Sequence, residues 1–364
     1  MKILEVIHGL NPGGAERLVV DLCNEMSKTE DVTLLLLKDL SKGQNGFYLD
    51  QVLDRVHIVC LKFEDGFNIK YPYEIYKTIR KINPDVVHIH CVLNYCMLAL
   101  LLDGKRRKYY QTLHIDIEHI KQKRDYRIAF NIFGKRNILK IVAISKTNYN
   151  ECIAEYPKVT CKCIFNGRAA QTVTEEFEKV KKEVSSYRRS NNSIILLNVA
   201  RCDTQKNHKR LIKAIEILNS EGFDVSTIII GNGYFDTPLG EELRTINSHN
   251  IHFIGSKKNI VDYMQATDAF CMSSDFEGMP ITIIEAMLNG KFIISTPVCG
   301  VIDVINNGDN GLLSKAFSAE SLAEEIIQYI KNRYIYDNNA KKQINNSPYN
   351  ISTCAKKYLD YFNI

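Results

Sequence analysis

Short runs rich in β-branched residues alternate with amphipathic stretches along most of this 364-residue chain. That alternation constrains the fold more than any other feature. KILEVIH, DVTLLLL, VHIVCL, DVVHIH, KYYQTLH and KIVAIS read as short strands of a buried parallel sheet. Between them, GAERLVVDLCNEMSK, YEIYKTIRKI and the basic stretch 119–136 have helical spacing. In the first of these, Leu18, Asp21, Leu22, Glu25 and Met26 separate apolar from polar positions onto different helix faces. The order is that of a doubly wound α/β fold.

The pattern pauses at 167–190, which is polar and carries no strand signal. It restarts with SIILLNVA, DVSTIIIG, NIHFIG, TDAFCMS and KFIISTP, each followed by a helical segment. Two α/β domains are expected, 1–166 and 167–347. A terminal helix within 348–364 should pack back on the first domain through Ile351, Cys354, Ala355, Tyr358, Leu359 and Phe362.

Composition removes several classes. With 45% hydrophobic and 24% charged residues the chain is neither collagen-like, coiled-coil nor disordered. No apolar run approaches the ~18–20 residues of a membrane span. The opening MKILEVIHGLNPGG is a poor secretory signal and suits a first strand. Eleven cysteines without a CxxC pair read as reduced thiols of a cytoplasmic protein. The net charge of +5 is too mild to argue for nucleic acid. It is concentrated, however: Lys105, Arg106, Arg107, Lys108, Lys121, Lys123, Arg124, Arg127, Lys135, Arg136 and Lys140 face only Asp103, Asp116, Glu118 and Asp125 within 101–140.

Three constellations bear chemistry. Gly13 and Gly14 open a helix after the first strand, which suits either an anion at free amides or a tight turn with no ligand. The spacing is not that of a dinucleotide fingerprint. Arg201 and Lys206 follow the strand SIILLNVA, where ligands of open parallel sheets bind, and fit a diphosphate or a solvated loop. Glu277 and Glu285 bracket FEGMPITIIEAM. A carboxylate among Ile and Met needs a partner, either ligand hydroxyls or a structural pair.

In this order GGAER, QTLH, FNG, ARCDTQKNH, GNG, FEGMPITIIEAM and CGVIDVINNGDNGLL resemble the retaining glycosyltransferases of family 4, over nearly the whole chain. The resemblance implies the GT-B architecture, two Rossmann-like domains facing across a cleft. It implies that Arg201 and Lys206 grip the donor diphosphate, that Glu285 binds ribose hydroxyls and that Glu277 lies near the donor sugar. Met279, Pro280 and Ile281 would touch sugar and phosphate through their backbone. Gly14 would lie near the phosphates, and His114 would close over the transferred sugar. Ile254 and Gly255 would hold the base, and Gly231 belongs to the matching GNG turn. Cys299 and Asp303 depart from the family's usual glycine and glutamate, leaving the donor-sugar pocket open.

The expected activity is transfer of a hexosyl or N-acetylhexosaminyl group from a UDP- or GDP-linked sugar to a glycan or lipid-linked acceptor, in bacterial surface polysaccharide assembly. Alternatives are a nucleotide-sugar epimerase of the same architecture and a catalytically silent subunit of a glycan assembly complex. No cofactor or metal is expected, although His88, His90 and Cys91, with His114, Asp116, Glu118 and His119, are potential ligands. These two clusters need not meet. The 101–140 segment is expected to face an anionic membrane surface, making the protein peripheral, or else to be a solvated face.

Overall fold

The computed structural model describes residues 1–66, 68–246, 249–342 and 348–364. It divides into two units, Met1–Ala169 with Tyr349–Ile364, and Ala170–Pro348. The sequence-expected end of the second domain, residue 347, lies outside the described residues. The chain leaves the first unit after Ala169, later than the boundary at 167. The reason is local: Arg168 is buried against Asp21, and its backbone pairs with Tyr349 and Ile351.

The first unit holds a seven-stranded sheet in the order β3-β2-β1-β4-β5-β6-β7. Its strands are β1 (Lys2–Ile7), β2 (Asp31–Lys38), β3 (His57–Phe63), β4 (Val86–His90), β5 (Lys108–Leu113), β6 (Leu139–Ala143) and β7 (Cys161–Cys163). All neighbours are parallel. Helices cover the sheet, so the central strands are buried; Leu4, Val6, Val87, Ile89 and Ile141 are fully buried, and so are the polar Glu5, His88 and His90. The basic stretch 119–136 is interrupted: helices Ile117–Ile120 and Arg124–Ala129 are followed by a π turn, Phe130–Gly134.

The terminal helix Ile351–Phe362 lies on this unit. Asn350 caps its first turn by accepting from the Thr353 amide. Tyr358 and Phe362 are fully buried, and the Tyr110 hydroxyl donates to the Tyr361 carbonyl at 3.0 Å. The Lys108 ammonium donates to the Phe362 carbonyl at 3.0 Å, which complements the negative end of the helix dipole.

The second unit holds a six-stranded parallel sheet, β10-β9-β8-β11-β12-β13. These are β8 (Ile194–Val199), β9 (Val225–Ile230), β10 (Ile251–Ile254), β11 (Ala269–Met272), β12 (Ile293–Ser295) and β13 (Gly311–Leu313). Strand order reverses direction between β1 and β4 in the first sheet and between β8 and β11 in the second. Such switch points leave a crevice at the carboxyl ends of the strands, where ligands of open α/β sheets bind. No described helix is long and apolar enough to cross a membrane.

Candidate functional site

In the second unit the switch point brings the loop after β8 against the loop after β11. The turn Thr204–Lys206 ends at Asn207, which takes a left-handed conformation (φ 43°) and caps the helix His208–Ser220. This turn aims Lys206 across the crevice, where its ammonium meets the Glu277 carboxylate at 2.5 Å. The two loops are tied elsewhere as well. Gln205 donates to the Phe276 carbonyl at 2.7 Å, the Asp275 amide to the Gln205 carbonyl at 2.8 Å, and Arg210 to the Ser273 carbonyl at 2.7 Å. Arg201 lies on the same loop, exposed, held by Asp203 at 3.0 Å and Gln205 at 3.2 Å.

After Glu277 the chain runs through Met279, which is buried, to Pro280, whose extended backbone precedes the helix Ile281–Leu288. The N-cap residue of this helix, Pro280, makes no side-chain cap hydrogen bond, and a helix N-terminus of this kind suits an anion. Glu285 sits on the same helix and is buried. Its carbonyl accepts from the Asn289 side chain at 2.8 Å, which anchors the helix end.

Two glycines permit the close approaches that shape this region. A Cβ at Gly231 would lie 2.0 Å from the Ala200 carbonyl oxygen, so the ends of β9 and β8 meet backbone to backbone. Gly300 has φ +76°, and a Cβ there would lie 2.0 Å from the Gly278 carbonyl oxygen. The 299–303 segment therefore rests on the FEGMP loop, with Asp303 half-buried beside it in sequence. Ile254 ends β10, and its carbonyl accepts from the Gly231 amide at 3.1 Å, which places Ile254 and Gly255 at the same edge.

The first unit carries a second polar cluster at its own switch point. Glu5 on β1 is in register with His88 on β4, and both are fully buried. One Glu5 oxygen contacts His88 Nδ1 at 2.9 Å and His90 Nε2 at 2.8 Å. His90 Nδ1 reaches His114 Nε2 at 2.9 Å, just beyond the end of β5. His88 Nε2 contacts Thr112 Oγ1 at 2.7 Å, and Thr112 contacts the Tyr358 hydroxyl at 3.1 Å. Burial alone would raise the Glu5 pKa, but His88 and His90 outweigh it and hold the carboxyl at about 2. Burial, with His88 beside it, pushes His90 down to about 4, and burial pushes His114 well below the usual imidazole range. Gly14 begins the helix Gly14–Met26 after β1.

The model for Glycosyltransferase Family 4 matches residues 12–168, and that for Glycosyl transferases group 1 matches residues 179–348. The chain belongs to the family 4-type glycosyltransferases. This glycosyltransferase is 26% identical over 345 residues to the capsular polysaccharide biosynthesis glycosyltransferase CapH of Staphylococcus aureus, covering 90% of this chain and 87% of the relative. It is 27% identical over 169 residues to the Campylobacter jejuni N,N'-diacetylbacillosaminyl-diphospho-undecaprenol alpha-1,3-N-acetylgalactosaminyltransferase, covering 46% of this chain and 44% of that one. The crystal structure of Anabaena Alr3699/HepE in complex with UDP and glucose superposes with a TM-score of 0.81 at 20% identity. That superposition covers 100% of this chain and 99% of that one, and its fold is GT-B.

Within the glycosyltransferase, Lys206, Glu277, Met279, Pro280 and Ile281 share one strand-end region of the second sheet, with Arg201 on its rim. Gly14 and His114 stand at strand ends of the first sheet. Two expectations about histidines change. The clusters at 88–91 and 114–119 do meet, through His90 and His114. The ligand atoms of Glu5, His88 and His90 lie within 4.8 Å of one another, close enough for a metal by distance. Sequence reasoning missed Glu5, an acid within an apolar strand run, and Gln205, which lies between the two expected cations.

Proposed function

We propose that the protein transfers a sugar from a nucleotide-diphosphate donor, UDP- or GDP-linked, to an acceptor hydroxyl with retention of anomeric configuration. The observation carrying this reading is the Lys206–Glu277 pair at the switch point, beside the uncapped helix Ile281–Leu288. An ammonium has three N–H donors, so Lys206 serves Glu277 and still has donors for phosphate oxygens. Departure of the nucleoside diphosphate builds negative charge. Lys206, Arg201 and the helix amides stabilise that charge where it develops. Glu277 accepts from hydroxyls of the donor sugar, and Glu285 from those of the ribose. Ile254 and Gly255 receive the base through their backbone. We assign Gly14 to the phosphates and His114 to a hydroxyl of the transferred sugar. The leaving phosphate oxygen takes the acceptor's proton, and neither metal nor cofactor enters the scheme.

The transferred group is of hexosyl or N-acetylhexosaminyl type, and the acceptor is a growing glycan or a lipid-linked sugar in capsule-like polysaccharide assembly. The names of the S. aureus and C. jejuni relatives support this. Peripheral attachment at the inner face of the plasma membrane fits such an acceptor. Exposed Lys105, Arg106, Lys135 and Arg136 belong to the same 101–140 segment as exposed Leu101 and Leu102, the mixture of cations and apolar groups that suits acidic headgroups.

The test is a thermal-shift screen of nucleotide sugars, because a bound donor raises stability by mass action. It is followed by turnover with and without acceptor. Donor binding and acceptor-dependent release of nucleoside diphosphate are expected. Conversion of the donor sugar without acceptor would instead indicate an epimerase, and failure to bind any nucleotide sugar a silent subunit.

A further inference from the structure

We propose that the cavity at the amino ends of β5 and β6 is a discrete anion site, built for a phosphate monoester or a diphosphate and distinct from the donor crevice. The inference stands apart from the transferase reading, because none of its residues belongs to the candidate site described above.

The cavity has a volume of about 300 Å³, and five of its nine lining residues are cations: Lys105, Arg107, Lys108, Arg136 and Lys140. None of the nine is acidic. Two of the cations are already engaged. Arg107 pairs with Asp103 and donates to the Pro84 carbonyl at 2.8 Å, and Lys108 donates to the Phe362 carbonyl at 3.0 Å. The other three, Lys105, Arg136 and Lys140, have no carboxylate partner among the described residues. The Lys140 ammonium instead lies 5.7 Å from the centre of the Tyr110 ring and 5.9 Å from that of Tyr361. Burial and the nearby Lys108 disfavour its charge.

Three unpaired cations gathered on one cavity repel one another, and a bound anion of two or more charges removes that cost. Arg136 offers a planar fork for two phosphate oxygens, and Lys105 and Lys140 offer point charges. The volume is at the lower end of the about 300–1,000 Å³ of small-ligand pockets, which suits a phosphate or diphosphate better than a whole nucleotide. A close approach shapes the wall. A Cβ at Gly104 would lie 2.4 Å from both the Leu100 carbonyl oxygen and Ile138 Cγ2, so glycine lets the end of the helix Leu93–Asp103 meet the residue before β6.

Strands β5 and β6 are parallel, so their amino ends open on one edge of the sheet and their carboxyl ends on the other. From Lys108 to His114 the chain advances six residues, about 20 Å in an extended strand. An anion in the cavity therefore does not reach the crevice where His114 stands. Its source is either a headgroup phosphate that anchors the chain to a lipid surface or a soluble phosphate compound.

Calorimetric titration with inorganic pyrophosphate tests the site in the full chain. Lys206→Ala removes the cation proposed to grip the donor diphosphate, so the binding that remains is that of the cavity. We expect one pyrophosphate per Lys206→Ala chain, with binding about tenfold weaker in Lys206→Ala/Lys140→Gln and in Lys206→Ala/Lys105→Gln/Arg136→Gln. Lys105 and Arg136 are exposed, so the last variant keeps its fold even if Lys140, packed on two tyrosines, does not tolerate replacement. No saturable binding in Lys206→Ala, or equal binding in the three chains, overturns the proposal.

Vesicles separate the two sources. Phosphatidic acid presents a phosphate monoester and phosphatidylglycerol a diester, and the two are compared at equal surface charge. A headgroup source predicts tighter binding to phosphatidic acid, reversed by pyrophosphate more than by sodium chloride of the same ionic strength. Equal binding to both lipids excludes the headgroup and leaves a soluble phosphate compound as the ligand.

Discussion

Arg168 and Asp21 are 147 positions apart in sequence and form a buried ion pair at 2.7 Å, with Arg168 only 2% exposed. Asp21 also accepts from Arg17 at 2.8 Å, so one carboxylate on the first helix gathers two guanidinium groups. The backbone of Arg168 meanwhile donates to the Tyr349 carbonyl and accepts from the Ile351 amide. The pair thus marks the place where the two separate stretches of the first unit are joined.

Removing Arg168 leaves the buried Asp21 carboxylate with Arg17 as its remaining cation. Arg168→Met is therefore expected to destabilise the first unit by less than the ~3–5 kcal/mol of a fully broken buried pair, on the order of 2 kcal/mol. Urea unfolding followed by hydrogen exchange in the helix Gly14–Met26 checks this. Equal stability of wild type and Arg168→Met would mean the pair contributes nothing net.

Lys206→Ala and Glu277→Gln should each lower turnover about 10²–10³-fold in a folded protein, the scale of one lost transition-state contact. Glu285→Ala should raise the donor dissociation constant with a smaller effect on the chemical step, because a ribose contact exists before reaction begins. Single-turnover kinetics beside donor titration separate the two. A Glu285→Ala enzyme with wild-type donor affinity would contradict the ribose role.

His208 is buried, its Nε2 at 2.7 Å from the Tyr234 hydroxyl, and burial lowers its pKa from 6.5 to about 3. Between these values the unfolded chain binds a proton that the folded one refuses. Stability from this group is therefore complete above about pH 6.5 and falls as the pH is lowered toward 3. At pH 5 the loss is about 2 kcal/mol. His208→Gln keeps a donor for Tyr234 and does not titrate. The stability gap between wild type and variant should therefore narrow by about that amount from pH 7 to pH 5, measured by denaturant melts. A gap independent of pH would refute the neutral histidine.

A cavity of about 300 Å³ on the first unit is lined by Lys105, Arg107, Lys108, Arg136 and Lys140. Burial and the nearby Lys108 both lower the Lys140 pKa. Vesicles containing acidic lipid should bind the protein at low salt and release it at high salt, at about 1 kcal/mol per basic residue near the surface. Lys105→Glu/Arg136→Glu should weaken that binding while leaving nucleotide affinity intact. Binding indifferent to lipid charge would leave these residues as a solvated face.

The strands that position both clusters were legible because parallel strands covered on both faces read as predominantly apolar runs, as in β2 and β8. Strands β7 and β13 were not, since Cys161–Cys163 and Gly311–Leu313 are three residues each and give no period to read. The break in 119–136 was hidden for another reason: a π turn at Phe130–Gly134 keeps apolar residues coming at near-helical intervals. Glu277 stood out by its spacing from Glu285. Its contact with Lys206 is a product of strand order, which brings positions 71 residues apart onto neighbouring strand ends. Glu5 was hidden in the same way, for its meaning comes from His88 and His90 on the strand laid beside it.

The return of Tyr349–Ile364 to the first unit has a consequence for synthesis. Residues 1–169 emerge from the ribosome first, yet Tyr358, Tyr361 and Phe362, which cover Thr112 and Tyr110, are made only after the whole second unit. Until then one face of the seven-stranded sheet is without its cover, and the nascent chain has an apolar surface that a chaperone could hold. The first unit is begun before the second and completed after it.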